Sequence, residues 1–174
     1  MVRYPESKSS LRKPQHDYRL PGYYLVTINT YLKQPFFGDI NRGVLTPTEI
    51  GKIAGRLWQE IPEHEPSVTL DAFILMPDHL HGILQLTRNV YDILATPERQ
   101  QFQPEMHSLS MIVRNYKAAV TRTINQVVAI PPARIWQTSF HDRIIQEEKG
   151  LEAARWYIRQ NPVNWRKEQW NEDF

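Results

Sequence analysis

Two apolar, β-branched runs, Val68 to Met76 (VTLDAFILM) and His79 to Leu86 (HLHGILQL), are separated only by Pro77-Asp78. No other feature restricts the fold as much. Two residues cannot carry a crossover between parallel strands, so the runs must turn back on each other as an antiparallel hairpin. Upstream, Gly22 opens a further strand over Tyr23 to Thr30 (YYLVTINT), rich in aromatic and β-branched residues, and a loop over Lys33 to Gly43 follows. Thr46-Pro47-Thr48-Glu49 reads as a helix start, with Thr46 as N-cap, Pro47 as first helical residue and Glu49 closing a capping box. Ile50, Ile53, Ala54, Leu57 and Ile61 then recur at helical spacing until Pro62.

Thr87 to Met106 reads as a surface loop holding Pro97 and Pro104. Ser108 opens a second helix, whose inward stripe is Leu109, Ile112, Val113, Tyr116, Val120, Ile124 and Val127, and Pro131-Pro132 closes that unit. Arg143-Ile144-Ile145 ends a strand-like stretch. Glu147-Glu148 then suits the N-terminus of a third helix, which buries Leu151, Ala154 and Ile158 until Pro162 ends or kinks it. The order strand, helix, strand, strand, helix, strand, helix implies an α+β fold: an antiparallel sheet with helices packed on it, of the split βαβ ferredoxin-like kind.

A length of 174 residues has room for one such domain. It divides into a basic N-terminal arm (1–20), the domain proper (21–165) and a C-terminal tail (166–174). With no cysteine in the chain, disulfides, thiolate metal sites and cysteine nucleophiles are excluded, so any metal must take His and oxygen ligands. No apolar run reaches the roughly 18 residues of a membrane span, and Met1 to Leu20 has no apolar signal-peptide core. These features predict a cytoplasmic protein without membrane contact.

Charge is unevenly placed. The net values over 1–20, 21–106, 107–146 and 147–174 are +3, −4, +4 and −1. Arg114, Lys117 and Arg122 lie off the apolar stripe of the second helix and give it a basic outer face. Such a face suits either a phosphate backbone or plain solvation.

His79 and His81 are two apart in a strand, so both imidazoles project from one face and can meet one ion, or pair with each other. Tyr157 and Asn161 are four apart on the third helix and share a face one turn apart, at the margin of its buried stripe. Together, two neutral His and a side-chain carbonyl could hold a hard divalent ion, with the tyrosine hydroxyl as nucleophile toward a phosphodiester. Two other readings stay open: a metal-dependent phosphodiesterase that activates water while Tyr157 merely packs, and a non-catalytic regulator that binds single-stranded nucleic acid. His141-Asp142 is a third polar spot, suited to placing DNA or to solvent.

Four motifs in fixed order carry a family resemblance. They are Tyr23 to Thr27 with Phe37-Gly38; Met76-Pro77-Asp78-His79-Leu80-His81-Gly82; Trp136-Gln137 with Phe140-His141-Asp142; and Tyr157-Ile158-Arg159-Gln160-Asn161-Pro162. Over about residues 18–165 the chain resembles the single-tyrosine HUH transposases of the IS200-like superfamily, most closely the REP-associated tyrosine transposases. The resemblance implies a ferredoxin-like fold, a Mg2+ or Mn2+ ion, and cleavage and rejoining of single-stranded DNA beside a hairpin through a covalent 5′-phosphotyrosine. Carried onto this sequence, His79 and His81 are the paired metal ligands, Tyr157 is the nucleophile, and Asn161 stands where many relatives place a Gln as third ligand. Arg114, Lys117, Arg122 and His141 are the candidate DNA contacts. The implied partner is single-stranded or hairpin DNA at the nucleoid, with monomer and homodimer both open.

Overall fold

The computed structural model describes residues 16–87 and 108–169. The strands are β1 (Gly22–Asn29), β2 (Gly38–Asn41), β3 (Val44–Pro47), β4 (Val68–Leu75), β5 (His79–Leu86) and β6 (His141–Ile145). The helices are α1 (Glu49–Gln59), α2 (Ile61–His64), α3 (Leu109–Val127) and α4 (Glu148–Gln169). Most of the expected arm and the expected loop over 87–106 lie outside the described residues.

Four strands form one sheet in the order β4-β5-β1-β6, every neighbouring pair antiparallel. This is the split βαβ arrangement that the order of elements predicts, and the hairpin about Pro77-Asp78 is its β4–β5 pair. Alternation along the strands divides the sheet into two faces. Tyr24, Val26 and Ile28 of β1 and Leu80 and Leu84 of β5 pack with Ile53, Ala54 and Trp58 of α1 and with the α3 stripe. Tyr23, Leu25 and Ile83 on the other face pack under Leu151, Ala154 and Ile158 of α4.

A β-bulge lets β4 serve both layers. Its register against β5 slips between Leu70 and Phe73. Val68, Leu70, Phe73 and Leu75 therefore all face α1 and α3, while Ala72 and Ile74 face α4. The extra residue places Asp71 where Arg155 of α4 grips it in a fork, at 2.9 and 2.6 Å. The sheet is thereby joined to α4 by charge as well as by apolar contact.

Several local expectations are corrected. The stretch 33–43 holds β2 and the start of a hairpin with β3. Its two-residue turn, Arg42-Gly43, has φ of 51° and 79°, the left-handed pair that matches strand twist. Thr46 lies in β3, and the N-cap of α1 is Thr48, whose hydroxyl accepts from the Gly51 N–H at 3.1 Å. The sequence offers two threonines two residues apart, and pairing of Thr46 with Asp39 removes the first from the helix. Val127 is 65% exposed and does not join the stripe. Pro162 does not end α4, which runs on to Gln169. Proline costs the helix one N–H, but Trp165 one turn beyond is buried against Ile40 and Met76 and holds the last turns down.

Candidate active site

The turn between β4 and β5 sets the first histidine. Met76 N–H donates to the carbonyl of His79, and the carbonyl of Asp78 accepts from both the N–H and the hydroxyl of buried Thr30, at 2.8 and 2.9 Å. So anchored, the Asp78 carboxylate meets Nδ1 of His79 at 2.5 Å. A carboxylate only accepts, so Nδ1 carries the proton and the lone pair of neutral His79 sits on Nε2.

His81 follows on the same face. Its Nδ1 lies 2.8 Å from the Thr27 hydroxyl, and its Nε2 lies 3.1 Å from Nε2 of His79. Leu80 points into the opposite core, and the indole of Trp58 fills the space that a side chain at residue 82 would need, so Gly82 serves packing. Burial first, then the neighbouring His79, pushes the His81 pKa well below the ordinary imidazole value, with a hydrogen bond that the Asn161 amide oxygen accepts from the imidazole working against them. His81 is therefore neutral, the form that binds metals.

Tyr157 and Asn161 arrive from α4. The Tyr157 hydroxyl is 3.4 Å from Nε2 of His81, and the two rings meet edge to face with centroids 5.2 Å apart. Asn161 is buried and donates from Nδ2 to the carbonyl of Tyr157 at 3.2 Å. The amide is thereby oriented, and its oxygen is left as the acceptor. His79, His81, Tyr157 and Asn161 thus come together as one cluster within one chain.

The donor set fits a hard divalent ion. When Thr27 accepts from Nδ1 of His81, both imidazoles turn their Nε2 lone pairs toward each other at 3.1 Å. Bare lone pairs repel at that separation, and a cation between them relieves it. It is also about the ligand–ligand edge of an octahedron with bonds of roughly 2.1 Å. Among the described residues no group of three His, Asp or Glu surrounds a common point. Among those residues the further oxygen beside the pair is that of the Asn161 amide, which meets His81.

The remaining candidates separate. His141 pairs across the sheet with Thr27, which pairs on its other side with His81, so the three form one row on the face covered by α4. Arg114, Lys117 and Arg122 are on α3, which packs on the opposite face. Arg114 and Arg122 are exposed there. The Lys117 ammonium instead donates to the carbonyls of Gln137, Thr138 and Ser139 at 2.5, 3.3 and 3.4 Å. Burial, with Arg134 nearby, lowers its pKa.

Sequence reasoning missed four participants: Asp78 and Thr27, which orient the imidazoles, and Asn29 and Gln137, which lie beside them. The polar alternation Thr27, Asn29 in β1 was the available signal. Only strand register shows that these side chains face the histidines.

Comparison with known proteins agrees with the fold. An uncharacterized protein of Haemophilus influenzae is 30% identical over 169 residues, spanning 93% of this chain and 92% of that one. No model of a known protein family matches the chain. Among solved structures, a REP-associated tyrosine transposase bound to a REP hairpin superposes with a TM-score of 0.60 at 19% identity, over 88% of this chain and 74% of that one. A Deinococcus radiodurans crystal structure overlaps at a TM-score of 0.47 and 18% identity, over 86% of this chain and 98% of that one, too loosely to argue from. The shared element is the fold: the antiparallel sheet flanked by helices. Among the described residues no helix is long and apolar enough to cross a membrane.

Proposed function

This chain belongs to one family with the uncharacterized Haemophilus influenzae protein, and from that premise and the geometry of the His–Tyr cluster we propose that it is a DNA transposase. In this reading it cleaves and rejoins single-stranded DNA beside a hairpin. The observation that carries the reading is the Tyr157 hydroxyl at 3.4 Å from His81, whose Nε2 also faces that of His79. A phenol so placed can attack whatever phosphate the histidine site holds. The fold shared with a transposase that was solved on a REP hairpin supports hairpin DNA as the substrate class.

His79, His81 and Asn161 would hold a Mg2+ or Mn2+ ion, which when bound supplies Lewis-acid polarisation of the phosphate oxygens. The chain's own residues do the rest. Asp78 and Thr27 keep both imidazoles aimed at one point, and Asn161 anchors to the turn of α4 that carries the nucleophile. The Tyr157 oxygen forms the new bond to phosphorus, and the bond from phosphorus to the 3′ oxygen breaks. The phenol gives up one proton and the departing 3′ oxygen gains one. The product is a 5′-phosphotyrosyl link and a free 3′-hydroxyl, so the energy of the broken phosphodiester stays available for rejoining. The exposed cations Arg114 and Arg122 are proposed contacts to the phosphate backbone away from the cleaved strand, and His141 a contact within the row of His81.

The test is incubation with hairpin-bearing single-stranded oligonucleotides plus magnesium or manganese, followed by peptide mapping of any denaturant-resistant adduct. An adduct on Tyr157 establishes nucleophile and polarity together. Cleaved ends without an adduct would replace the tyrosine mechanism with hydrolysis, and tight binding without cleavage would make the protein a regulator.

A further inference from the structure

One end of the face under α4 is polar although the rest of that face is apolar. Beside the row His81–Thr27–His141 runs a second one. Asn29 is the direct cross-strand partner of His79, which places their Cβ atoms about 5 Å apart. On the other side of Asn29 stands Gln137, whose N–H donates to the Asn29 carbonyl at 3.0 Å. The side-chain amides also meet, Asn29 Nδ2 donating to Gln137 Oε1 at 3.4 Å.

Neighbouring cations are occupied in holding this rim. Lys117 binds the carbonyls of residues 137–139. Arg134 donates to the Trp136 carbonyl at 3.1 Å and the Thr138 hydroxyl at 2.6 Å, with its guanidinium 4.5 Å above the Tyr31 ring. The bridge between Thr30 and Trp136 fixes the backbone between them. What this braced rim presents is neutral: the Asn29 oxygen and the Gln137 Nε2 amine make no hydrogen bond within the described residues. Both residues are half-buried. A site for phosphate would present the cations. This one commits them to the protein and presents an acceptor next to a donor, the complement of a nucleobase edge.

We propose that Asn29 and Gln137 form a base-reading subsite that accepts one unpaired nucleotide, adenine or cytosine by the adjacent amino donor and ring-nitrogen acceptor that both present, next to the phosphate cleaved at the histidine site. The subsite rests on the reading of the protein as a DNA-processing enzyme. It makes these two residues determinants of where the strand is cut, distinct from those that cut it.

The experiment is selection from a DNA stem-loop library with randomised unpaired nucleotides on both sides of the stem, in magnesium, using full-length Tyr157→Phe protein so that no adduct forms. Asn29→Ala and Gln137→Ala are each added to that background, and circular dichroism verifies their folding. The parent should enrich adenine or cytosine over guanine and thymine roughly tenfold at one unpaired position, and each variant should lose that preference while retaining selection for the stem. Gln137→Glu leaves acceptors only and should move the preference toward guanine, whose N1–H and amino group are adjacent donors, a change that a merely structural role would not produce. An enriched position whose base preference is the same in parent and variants overturns the subsite alone. If the parent selects no DNA at all, the DNA reading falls and the subsite with it.

Discussion

The Tyr157 hydroxyl and Nε2 of His81, 76 residues apart in sequence, lie 3.4 Å apart within a single chain. The proposed nucleophile and the proposed metal ligands therefore need no second copy to meet. Tyr157→Phe should abolish the DNA adduct and leave DNA binding intact, read by denaturing gel and by filter binding. Mixing Tyr157→Phe with His81→Ala protein should restore no adduct. Restored activity in the mixture would mean that α4 is exchanged between copies.

Asp78 sets the orientation and tautomer of His79 from outside the proposed ligand set. Asp78→Ala should weaken Mn2+ binding about 10- to 100-fold, measured by calorimetry, with the fold intact. An unchanged affinity would limit Asp78 to building the turn.

The Asp71–Arg155 fork predicts a pH dependence of stability. The hydrogen bond from Arg155 is the largest influence on Asp71 and holds its carboxyl below the usual value of 3.8. A depressed pKa in the folded state adds stability above the unfolded value, and that stability is lost as pH falls through about 4 and below. Urea midpoints between pH 6 and pH 3 should fall for the wild type and fall less for Asp71→Asn.

A Cβ at residue 82 would lie well inside van der Waals contact with the Trp58 indole. Gly82→Ala should cost about 1–3 kcal/mol by overpacking. It should also shift the His81 imidazole signals in NMR spectra, since β5 must move to admit the methyl group.

Trp165 holds the turns of α4 beyond Pro162. Trp165→Ala should cost about 3–5 kcal/mol. Amide exchange should then quicken after Pro162, while the turn carrying Ile158, which has its own core contacts, stays protected.

Much of the site was legible because its signals are local. His79 and His81 share a face by the two-residue period of a strand, and Tyr157 and Asn161 by the helical turn. The hairpin was legible because two residues leave a chain no other route. Short-range ambiguity blurred other features. Thr46 and Thr48 both suit a cap, and the β2–β3 strands are four residues each with an Arg where a turn usually has Asn or Asp.

By itself, then, the sequence determined the α+β class, the order of the four sheet strands and the antiparallel sheet, and it pointed to the four residues of the candidate cluster, since each depends on period or spacing within a few positions. Tertiary structure decided the rest. The bulge that turns Asp71 toward Arg155, the register that sets Thr27 beside His81 and Asn29 beside His79, and the capture of Lys117 by three carbonyls all join residues far apart in the chain. Such pairings follow from how sheet faces and helices fill space against one another, and no local pattern carries that information.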